Sequence, residues 1–351
     1  MEHALQVSAP SRRRSPSSVA EPAARNPLLA YYGEPIRPFL DDPEVTEICI
    51  NGPSEVFVER GGRLFRTEAS FKSVEELDEY VRQIAHHLKQ DIDPDTHPIL
   101  DARLDDGSRV NAVLPPYSVG FTSVTIRPSP KRRMSLDDLL QLRMLDEAVA
   151  RRVESAIRDG DSVVTAGGTG SGKTTLLRAF STFIPRDERV LVVEDTTENI
   201  VPDHPHVVQL EAARRRRHGD DRMEVTMGSL ITNTLRMRGD RIVVGEIRTP
   251  EAAAAFFWAR NTGHSVPLST VHANSGGETF LRLRNLLASA GPGIPLPVHD
   301  EMVKSNINLV LHVRKLRVGD EVRRRVVEVV ETEAGEMRDA LRYDPECDAW
   351  A

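Results

Sequence analysis

The segment at residues 167–174, Gly-Gly-Thr-Gly-Ser-Gly-Lys-Thr, constrains the fold of this chain more than any other. It matches the pattern G-x-x-x-x-G-K-[ST], which joins a strand to a helix. A β-branched apolar run at residues 162–165 precedes it, and a run typical of a helix at residues 174–183 follows it. The sequence therefore predicts a buried strand, a glycine-rich loop and a helix in direct succession.

The chemistry of this loop indicates a polyphosphate ligand. Glycines let backbone N–H groups turn inward, and the N-terminal end of the following helix attracts negative charge. Lys173 can reach the β- and γ-phosphates, and the Thr174 hydroxyl can ligate Mg²⁺. A chance match in a flexible glycine–serine loop is the alternative, but both flanks fit the motif. We predict that ATP and Mg²⁺ bind at Gly168, Thr169, Gly170, Ser171, Gly172, Lys173, Thr174 and Thr175.

Length and composition narrow the class of protein. The 351 residues suggest two folded domains or one large one. The net charge of −7 argues against a protein that binds nucleic acid mainly through overall positive charge. No apolar run approaches the ~20 residues needed to span a bilayer, and the N-terminus lacks the apolar core of a signal peptide. The two cysteines, Cys49 and Cys347, are too few for a disulfide scaffold or a Cys₄ metal site. These features predict a cytoplasmic protein.

The pattern along the chain predicts two domains joined by a linker. The composition of residues 1–26, rich in Ser, Pro, Ala and Arg, predicts a disordered tail. Its arginine run at 12–14 is either solvated charge or a contact for acidic lipid or a partner. Residues 27–128 combine strands with a helix that Ser73 caps, which predicts a small α+β domain. A linker at 129–135, a second domain at 136–335 and a C-terminal tail at 336–351 complete the prediction.

The second domain has short apolar runs that alternate with helical segments. These runs lie at residues 162–166, 190–193, 242–244 and 268–271. Buried strands of a mostly parallel sheet have this composition. The predicted fold class is α/β, a RecA-like P-loop ATPase core of a mostly parallel sheet with flanking helices, preceded by the smaller α+β sheet domain.

Two acidic residues at strand ends are candidate catalytic residues. Glu194 follows the apolar run at 190–193, and Glu246 follows Gly245 after the run at 242–244. Ligands of open α/β sheets sit at the carboxyl ends of strands. Glu194 is therefore expected to orient or deprotonate the attacking water, unless it only begins a solvated turn. Glu246 is expected to act on the lytic water or on the Mg²⁺ and its bound waters.

Two histidines and an arginine cluster are further candidates. His264 and His272 bracket the run at 268–271 and are predicted to sense the γ-phosphate or the conformation, with His272 the closer contact. The run Arg214–Arg217, with His218, has three interpretations. It contacts nucleic acid or substrate, it presents charge at a subunit boundary, or it is a solvated face whose charge is offset by nearby acids.

Several motifs together resemble the traffic ATPases of type II and type IV secretion. Residues 194–198, 235–248, 261–264 and 269–275 resemble the Asp box, Walker B motif and His box of that family. Residues 44–48, 101–103, 107–111 and 125–128, together with Asn51, resemble its N-terminal domain. The segments span most of the chain, and their combination is far more specific than any one of them.

The resemblance implies a homo-hexameric ring with ATP between the two domains, where Arg109 and Arg127 match arginines that the family directs toward nucleotide. The absence of a tetracysteine zinc insertion makes the chain more similar to the type IV secretion and conjugation branch, and the tight-adherence pilus branch stays open. The implied partners are inner-membrane components of such a machine and a transported protein or nucleoprotein. The implied location is the cytoplasm, peripherally at the inner membrane.

Two hypotheses from other classes remain beside this one. The first is a nucleic-acid-translocating ring motor, with the arginines at 214–217 as its contact, and it predicts turnover stimulated by DNA. The second is a scaffold that binds ATP without useful turnover. The presence of Lys173, Glu194 and Glu246 argues against the scaffold.

Overall fold

A computed structural model of the chain describes residues 31–129, 133–198, 200–212, 225–291, 293–318, 321–333, 335–344 and 349–350. The predicted tail at 1–26 with its arginine run, residues 130–132 of the linker and the run at 214–217 lie outside the described residues. The rest forms two compact units, whose main division follows Ser129. Among the described residues, no helix combines the length and the apolar character needed to cross a membrane.

The part of the chain before Ser129 contains a six-stranded sheet, of which residues 42–47 and 57–65 group with the second unit and the others with the first. A 3₁₀ turn at Glu34–Ile36 leads into helix α1, and helix α2 lies between β3 and β4. The sheet order is β3-β2-β1-β6-β5-β4, with antiparallel pairing of β1 with β6, β6 with β5 and β5 with β4. The elements are α1 (Arg37–Asp41), β1 (Val45–Asn51), β2 (Val56–Arg60), β3 (Arg63–Arg66), α2 (Val74–His87), β4 (Ile99–Arg103), β5 (Arg109–Val113) and β6 (Ser123–Arg127).

Alternation of buried and exposed residues explains these strands. Val110 and Ala112 on β5 and Val124 and Ile126 on β6 are buried, while the residues between them are half-buried or exposed. Successive side chains of a strand point to opposite faces, so this pattern gives the sheet one apolar face. Helix α2 begins at the cap that the sequence predicts, with Ser73 Oγ accepting a hydrogen bond from the N3 amide.

The second unit alternates helices and strands around a nine-stranded sheet. Its elements are α3 (Leu136–Gln141), α4 (Glu147–Asp159), β7 (Val163–Gly167), α5 (Lys173–Phe180), β8 (Val190–Glu194), β9 (Val207–Glu211), α6 (Met227–Thr234), β10 (Arg241–Val244), α7 (Pro250–Asn261), β11 (Leu268–Val271), α8 (Gly276–Ala290), α9 (Leu296–Asn306), β12 (Leu309–Val318), β13 (Glu321–Glu333), β14 (Glu336–Asp344) and β15 (Ala349–Trp350). A 3₁₀ turn at Ser181–Phe183 continues α5.

The sheet order is β15-β14-β13-β12-β7-β11-β10-β8-β9. Strands β12 through β9 in that order pair in parallel, and β13, β14 and β15 add antiparallel pairs. Strand β7 is buried throughout: Val164 and Ala166 belong to one apolar cluster, whereas Val163 belongs to another. A strand whose alternate residues enter two cores is covered on both faces. This arrangement confirms the predicted α/β class.

The C-terminal segment corrects one prediction. Residues 336–351 were expected to be a tail, but β14 pairs with β13 and β15 pairs with β14. The Trp350 indole donates a 2.7 Å hydrogen bond to the Val326 carbonyl. Most β14 side chains are exposed, so the strand lacks the apolar alternation that would have revealed it. Backbone pairing holds it instead.

Candidate active site

The glycine-rich loop runs between β7 and α5, as its motif predicts. Gly167 ends β7, and a Cβ on this residue would collide with the Val313 carbonyl oxygen. Gly172 precedes α5 with φ 109°, a left-handed conformation that favours glycine. Gly168, Thr169 and Gly170 are exposed between them. The loop therefore presents its backbone to solvent at the N-terminal end of a helix, where anions bind.

Lys173 begins α5 and folds back over the loop. It is 7% exposed, and its Nζ donates 2.9 Å hydrogen bonds to the carbonyls of Gly167 and Gly168. Burial lowers the pKa of Lys173, while the negative charges of Glu246 and Glu198 act against that shift. The ammonium thus lies over the loop, within the electrostatic reach of both acids.

Glu194 and Glu246 follow neighbouring strands. Glu194 ends β8 and is 3% exposed, and its Oε1 accepts a 2.7 Å hydrogen bond from the Glu198 amide. Strand β10 lies beside β8, and the Gly245 amide continues their ladder by donating to Val193. A Cβ on Gly245 would lie 3.1 Å from Glu194 Cγ, so glycine here leaves room for the Glu194 side chain. The two carboxylates thus come from adjacent strand ends.

His272 lies next to Glu246 at the end of β11. Its Nε2 is 3.1 Å from Glu246 Oε1. Burial lowers the pKa of His272, the positive charge of Lys173 adds to that shift, and Glu246 opposes it. The imidazole is therefore neutral at pH 7 and can donate one hydrogen bond.

The segment around His272 is held at several points. Thr270 Oγ1 donates a 2.8 Å hydrogen bond to the Gly245 carbonyl and ties β11 to β10. Ser275 Oγ caps α8 by accepting from the Glu278 amide. The Gly276 amide, one residue further, donates to the Glu328 carboxylate of β13. These bonds fix the backbone on both sides of the histidine.

His264 does not join this group. Strand β11 separates the two histidines and runs parallel to β7, so His264 lies before its amino end, on the side opposite the glycine loop. Its Nδ1 is 3.2 Å from Thr262 Oγ1, within the turn after α7. Residues that bracket a strand lie at opposite ends of it. The prediction that His264 senses the γ-phosphate or the conformation stays a prediction, and its position at the amino end of β11 argues against direct phosphate contact within this chain.

Three charged residues near the site were not singled out from the sequence as catalytic or binding residues. The charge of Glu198 acts on both Lys173 and Arg178. Arg248, in the loop after β10, lies 3.7 Å from Asp195 Oδ2 and 3.9 Å from Glu246 Oε1. Glu198 and Asp195 are close to Glu194 in the chain, and this closeness is the feature of the sequence that could have identified them.

The residues predicted to hold Mg²⁺ offer suitable donors. Thr174 supplies a hydroxyl in the first turn of α5, and Glu246 supplies a half-buried carboxylate. Mg²⁺ takes a few protein oxygens of this kind and keeps several waters. Among the described residues, no cluster of three or more His, Cys, Asp or Glu side chains forms an all-protein metal site. The donor set fits an ion that would share its ligands with phosphate and water.

Arg109 and Arg127 lie in the first unit, on adjacent strands. Arg109 begins β5 and Arg127 ends β6, and the two residues are directly opposite in the antiparallel register. Arg103, at the end of β4, is opposite Arg109 on the other side. Directly opposed residues of antiparallel strands project to the same face. The three arginines therefore form a row on one face of the sheet.

Comparison with known proteins identifies the group to which this arrangement is similar. The family model described as "Type II/IV secretion system protein" matches residues 32–346. The type IV secretion system protein VirB11 of Brucella suis biovar 1 is 34% identical over 325 residues, covering 86% of this chain and 89% of that protein. The conjugal transfer protein TrbB of Rhizobium radiobacter is 34% identical over 299 residues, covering 84% and 85%. The Legionella pneumophila ATPase DotB shares the fold, with a TM-score of 0.62 at 23% identity over 90% of this chain and 84% of that chain.

Proposed function

This chain belongs to the type II/IV secretion system protein family, and we propose that it is a hexameric ATPase that hydrolyses ATP to power a type IV secretion or conjugation system. ATP hydrolysis would drive the transport of protein or nucleoprotein, or the assembly of the secretion machine. The proposed location is the cytoplasmic side of the inner membrane, in contact with membrane components of that system. VirB11 and TrbB, by their names, belong to secretion and conjugal transfer, and this supports the branch.

One observation carries the ATPase proposal. The glycine loop, His272, Glu246 and Glu194 follow four strands that are consecutive in the sheet, β7, β11, β10 and β8. Ligands of open α/β sheets bind at this end of the strands. A phosphate chain held in the loop would therefore extend its terminal phosphate toward two carboxylates and a neutral imidazole. Positioning and charge stabilisation of this kind are what phosphoryl transfer to water requires.

Each residue has a role in the proposed mechanism. Lys173 exchanges its carbonyl acceptors for phosphate oxygens when ATP enters, because its Nζ already lies over the loop. Glu194 orients the attacking water or accepts its proton, and Glu246 does so from the adjacent strand or holds waters near the phosphate. His272 donates a hydrogen bond to the terminal phosphate. Bound Mg²⁺ would supply charge neutralisation at the phosphates, with Thr174 and Glu246 holding it directly or through water.

Arg109 and Arg127 are proposed as nucleotide contacts from the first unit. Their opposed positions on β5 and β6 support joint action on one ligand. Arginine at a phosphoryl-transfer site contributes about 10³–10⁵ in rate, whereas an exposed ion pair contributes at most ~1 kcal/mol to stability. Phosphate-release rates of the Arg127→Ala and Arg109→Ala proteins test this role, and normal rates in both would contradict it.

The decisive experiment measures phosphate release by the purified full chain with Mg·ATP. Lys173→Ala is expected to abolish turnover and to weaken ATP binding strongly, because the phosphates lose their fixed positive charge. Lys304→Ala is the matched control, since its ammonium pairs with Asp300 on the surface of α9 and should leave turnover unchanged. Turnover by Lys173→Ala near the wild-type rate would remove the ATPase assignment from this loop.

A second experiment tests the secretion branch. The wild-type gene should restore protein or DNA transfer to cells that lack it, and Lys173→Ala should not. Restoration of pilus motility or adherence without transfer would favour the pilus motor. Turnover that DNA stimulates and that falls steeply with salt would favour a nucleic-acid motor.

A further inference from the structure

The described chain places a second set of charged side chains beside the glycine loop, on the side away from the acids. In the sheet, β11, β10 and β8 lie on one side of β7, and β12 and β13 lie on the other. The ladder between β12 and β7 ends where Val313 pairs with Gly167. Strand β12 then continues to Val318 with β13 beside it. The β12–β13 hairpin therefore extends alongside the loop beyond the end of β7.

Arg324 on this hairpin contacts the loop directly. Its Nε donates a 3.1 Å hydrogen bond to the Gly170 carbonyl. A Cβ placed on Gly172 would lie 3.5 Å from Arg324 Cδ, and a Cβ placed on Gly170 would lie 3.0 Å from Lys315 Nζ. Lys315 and Arg324 are opposite each other in the register of the hairpin. Two cationic side chains thus cover the loop from the hairpin side.

The backbone next to Arg324 is fixed by the loop between α3 and α4. Arg325 Nη1 donates a 3.0 Å hydrogen bond to the Leu142 carbonyl. The Val326 amide donates a 2.7 Å hydrogen bond to the Met144 carbonyl. Both bonds lie within two residues of Arg324, so its side chain projects from a held segment. Preorganised cations of this kind bind anions with less loss of conformational entropy.

We propose that Arg324 binds the nucleoside monophosphate part of the nucleotide, meaning the α-phosphate and the sugar or base attached to it. The inference rests on the proposed ATPase function. If the terminal phosphate extends toward Glu194, Glu246 and His272, the nucleoside end must leave the loop on the other side, which is the side of β12 and β13. Arg324 is positioned there, and a guanidinium can pair with phosphate and stack on a base.

The experiment compares ligands with and without a nucleoside. Binding of Mg·ATP, Mg·ADP and Mg·pyrophosphate to the full chain is measured by calorimetry. Arg324→Ala is expected to weaken ATP and ADP on the order of 10- to 100-fold, as for a lost charge-assisted hydrogen bond. It should leave pyrophosphate unchanged, because pyrophosphate carries only the counterparts of the β- and γ-phosphates. Arg323→Ala is the matched control. Arg323 precedes it on β13, projects to the other face and pairs with Glu321 at 3.0 Å, so all three affinities should be unchanged.

The outcomes separate this inference from the proposed function. Equal weakening of pyrophosphate and ATP would mean that Arg324 only braces the loop through Gly170, and it would overturn the inference. Unchanged affinity for all three ligands would also overturn it while leaving the ATPase intact. Failure of the wild-type chain to bind ATP would overturn the proposed function itself and the inference with it.

Discussion

The carboxyl ends and the amino ends of the parallel strands carry similar residue types but hold them differently. At the carboxyl ends, Lys173 donates to loop carbonyls and lies near Glu246 and Glu198 without a short ion pair to either. Arg248 is 3.7 Å from Asp195 and 3.9 Å from Glu246, which is long for a salt bridge. Lys173 and Arg248 are therefore close to these acids without a tight ion pair to them.

At the amino ends, the polar groups are bonded to one another. Arg241 begins β10, is 6% exposed, and donates from two guanidinium nitrogens to the two carboxylate oxygens of Glu188. It also donates at 2.9 Å to Ser265 Oγ and to the Ile157 carbonyl. Arg260 nearby donates a 3.0 Å hydrogen bond to the Gly160 carbonyl and so ties the end of α7 to the end of α4.

The difference predicts a division between function and stability within one sheet. A buried charge with all its partners in the protein stabilises the fold only while every partner is present. A charge with loosely placed partners contributes less to stability and more to binding. We therefore expect carboxyl-end substitutions to change turnover with little change in stability, and amino-end substitutions to do the reverse.

The largest expected effect is at the two acids of the carboxyl ends. Glu246→Gln and Glu194→Gln should each lower turnover about 10²- to 10⁴-fold, because each removes a charge that acts on the water while its shape remains. ATP binding and thermal stability without nucleotide should change little. Phosphate release, ATP titration and thermal unfolding measure the three quantities.

The double substitution sharpens this prediction. When two residues act as one unit, the rate losses caused by their single substitutions do not add up in the double variant. Glu194→Gln combined with Glu246→Gln should therefore be little slower than the slower single variant. Strict additivity of the two losses would mean that the acids act independently, and a large loss of stability would mean that the comparison of the two strand ends is wrong.

The next effect is at Arg241, and it concerns stability. Arg241→Ala leaves the Glu188 carboxylate and several carbonyls without their donor, which should lower the free energy of unfolding by about 3–5 kcal/mol. Arg241→Lys keeps the charge and loses the two-nitrogen contact with Glu188, so an intermediate loss is expected. Urea unfolding without nucleotide measures both changes, and the lysine variant serves if the alanine variant fails to fold.

A surface arginine provides the control. Arg151 pairs with Glu147 at 3.0 Å on the exposed face of α4, and Arg151→Ala should cost at most ~0.5 kcal/mol. Turnover per folded molecule of Arg241→Lys should stay near the wild-type rate, since the length of β10 separates Arg241 from Glu246. A fall in turnover without a fall in stability would place Arg241 in the catalytic apparatus and break the comparison.

Much of the parallel sheet could be predicted from sequence because its strands are buried on both faces. The run at 268–271 matches β11 residue for residue. Strands β8 and β10 differ from their predicted bounds by one residue at one end, and β7 is shifted by one residue at both ends. Continuous apolar runs beside a glycine-rich loop are compatible with few structures other than buried parallel strands. The candidate residues at strand ends follow from the same pattern, because parallel strands bring their carboxyl ends to one side.

The antiparallel hairpin and its arginine could not be predicted in this way. Strand β13 carries Arg323, Arg324 and Arg325 in succession, so polar and apolar residues do not alternate there. Its register is set by pairing with β12 across a large part of its length. The separate environments of Arg323, which pairs with Glu321, and Arg324, which contacts the glycine loop, are properties of that register.

The smallest effects concern the two histidines, which lie at opposite ends of β11. The pKa of His272 is lowered below the ordinary histidine value of about 6.5 by burial and by Lys173, so its neutral form persists into mildly acidic solution. Turnover that needs neutral His272 should stay level from pH 8 to about 6.5 and fall only at lower pH. His272→Gln keeps a donor but cannot titrate, so it should lower the rate about 10-fold and flatten the acid limb of the profile. A fall in wild-type turnover that begins above pH 7, or an unchanged limb in the variant, would contradict the role of His272.

Substitution of His264 tests whether the effect of a histidine on turnover depends on its position at one end of β11 or only on its residue type. Both histidines are half-buried and stand two residues after a threonine, but His264 contacts Thr262 in the turn after α7, before β11 begins. Since the length of β11 separates it from the proposed phosphate site, His264→Gln should keep the wild-type rate within about 2-fold and the wild-type pH profile, and it should change stability by at most ~0.5 kcal/mol. Rate–pH profiles of the two glutamine variants, measured side by side, make the comparison. If His264→Gln also flattened the acid limb, a signal would have to pass along β11 from its amino end to the site. The separation between a stabilising end and a catalytic end of the sheet would then fail at the strand next to the glycine loop.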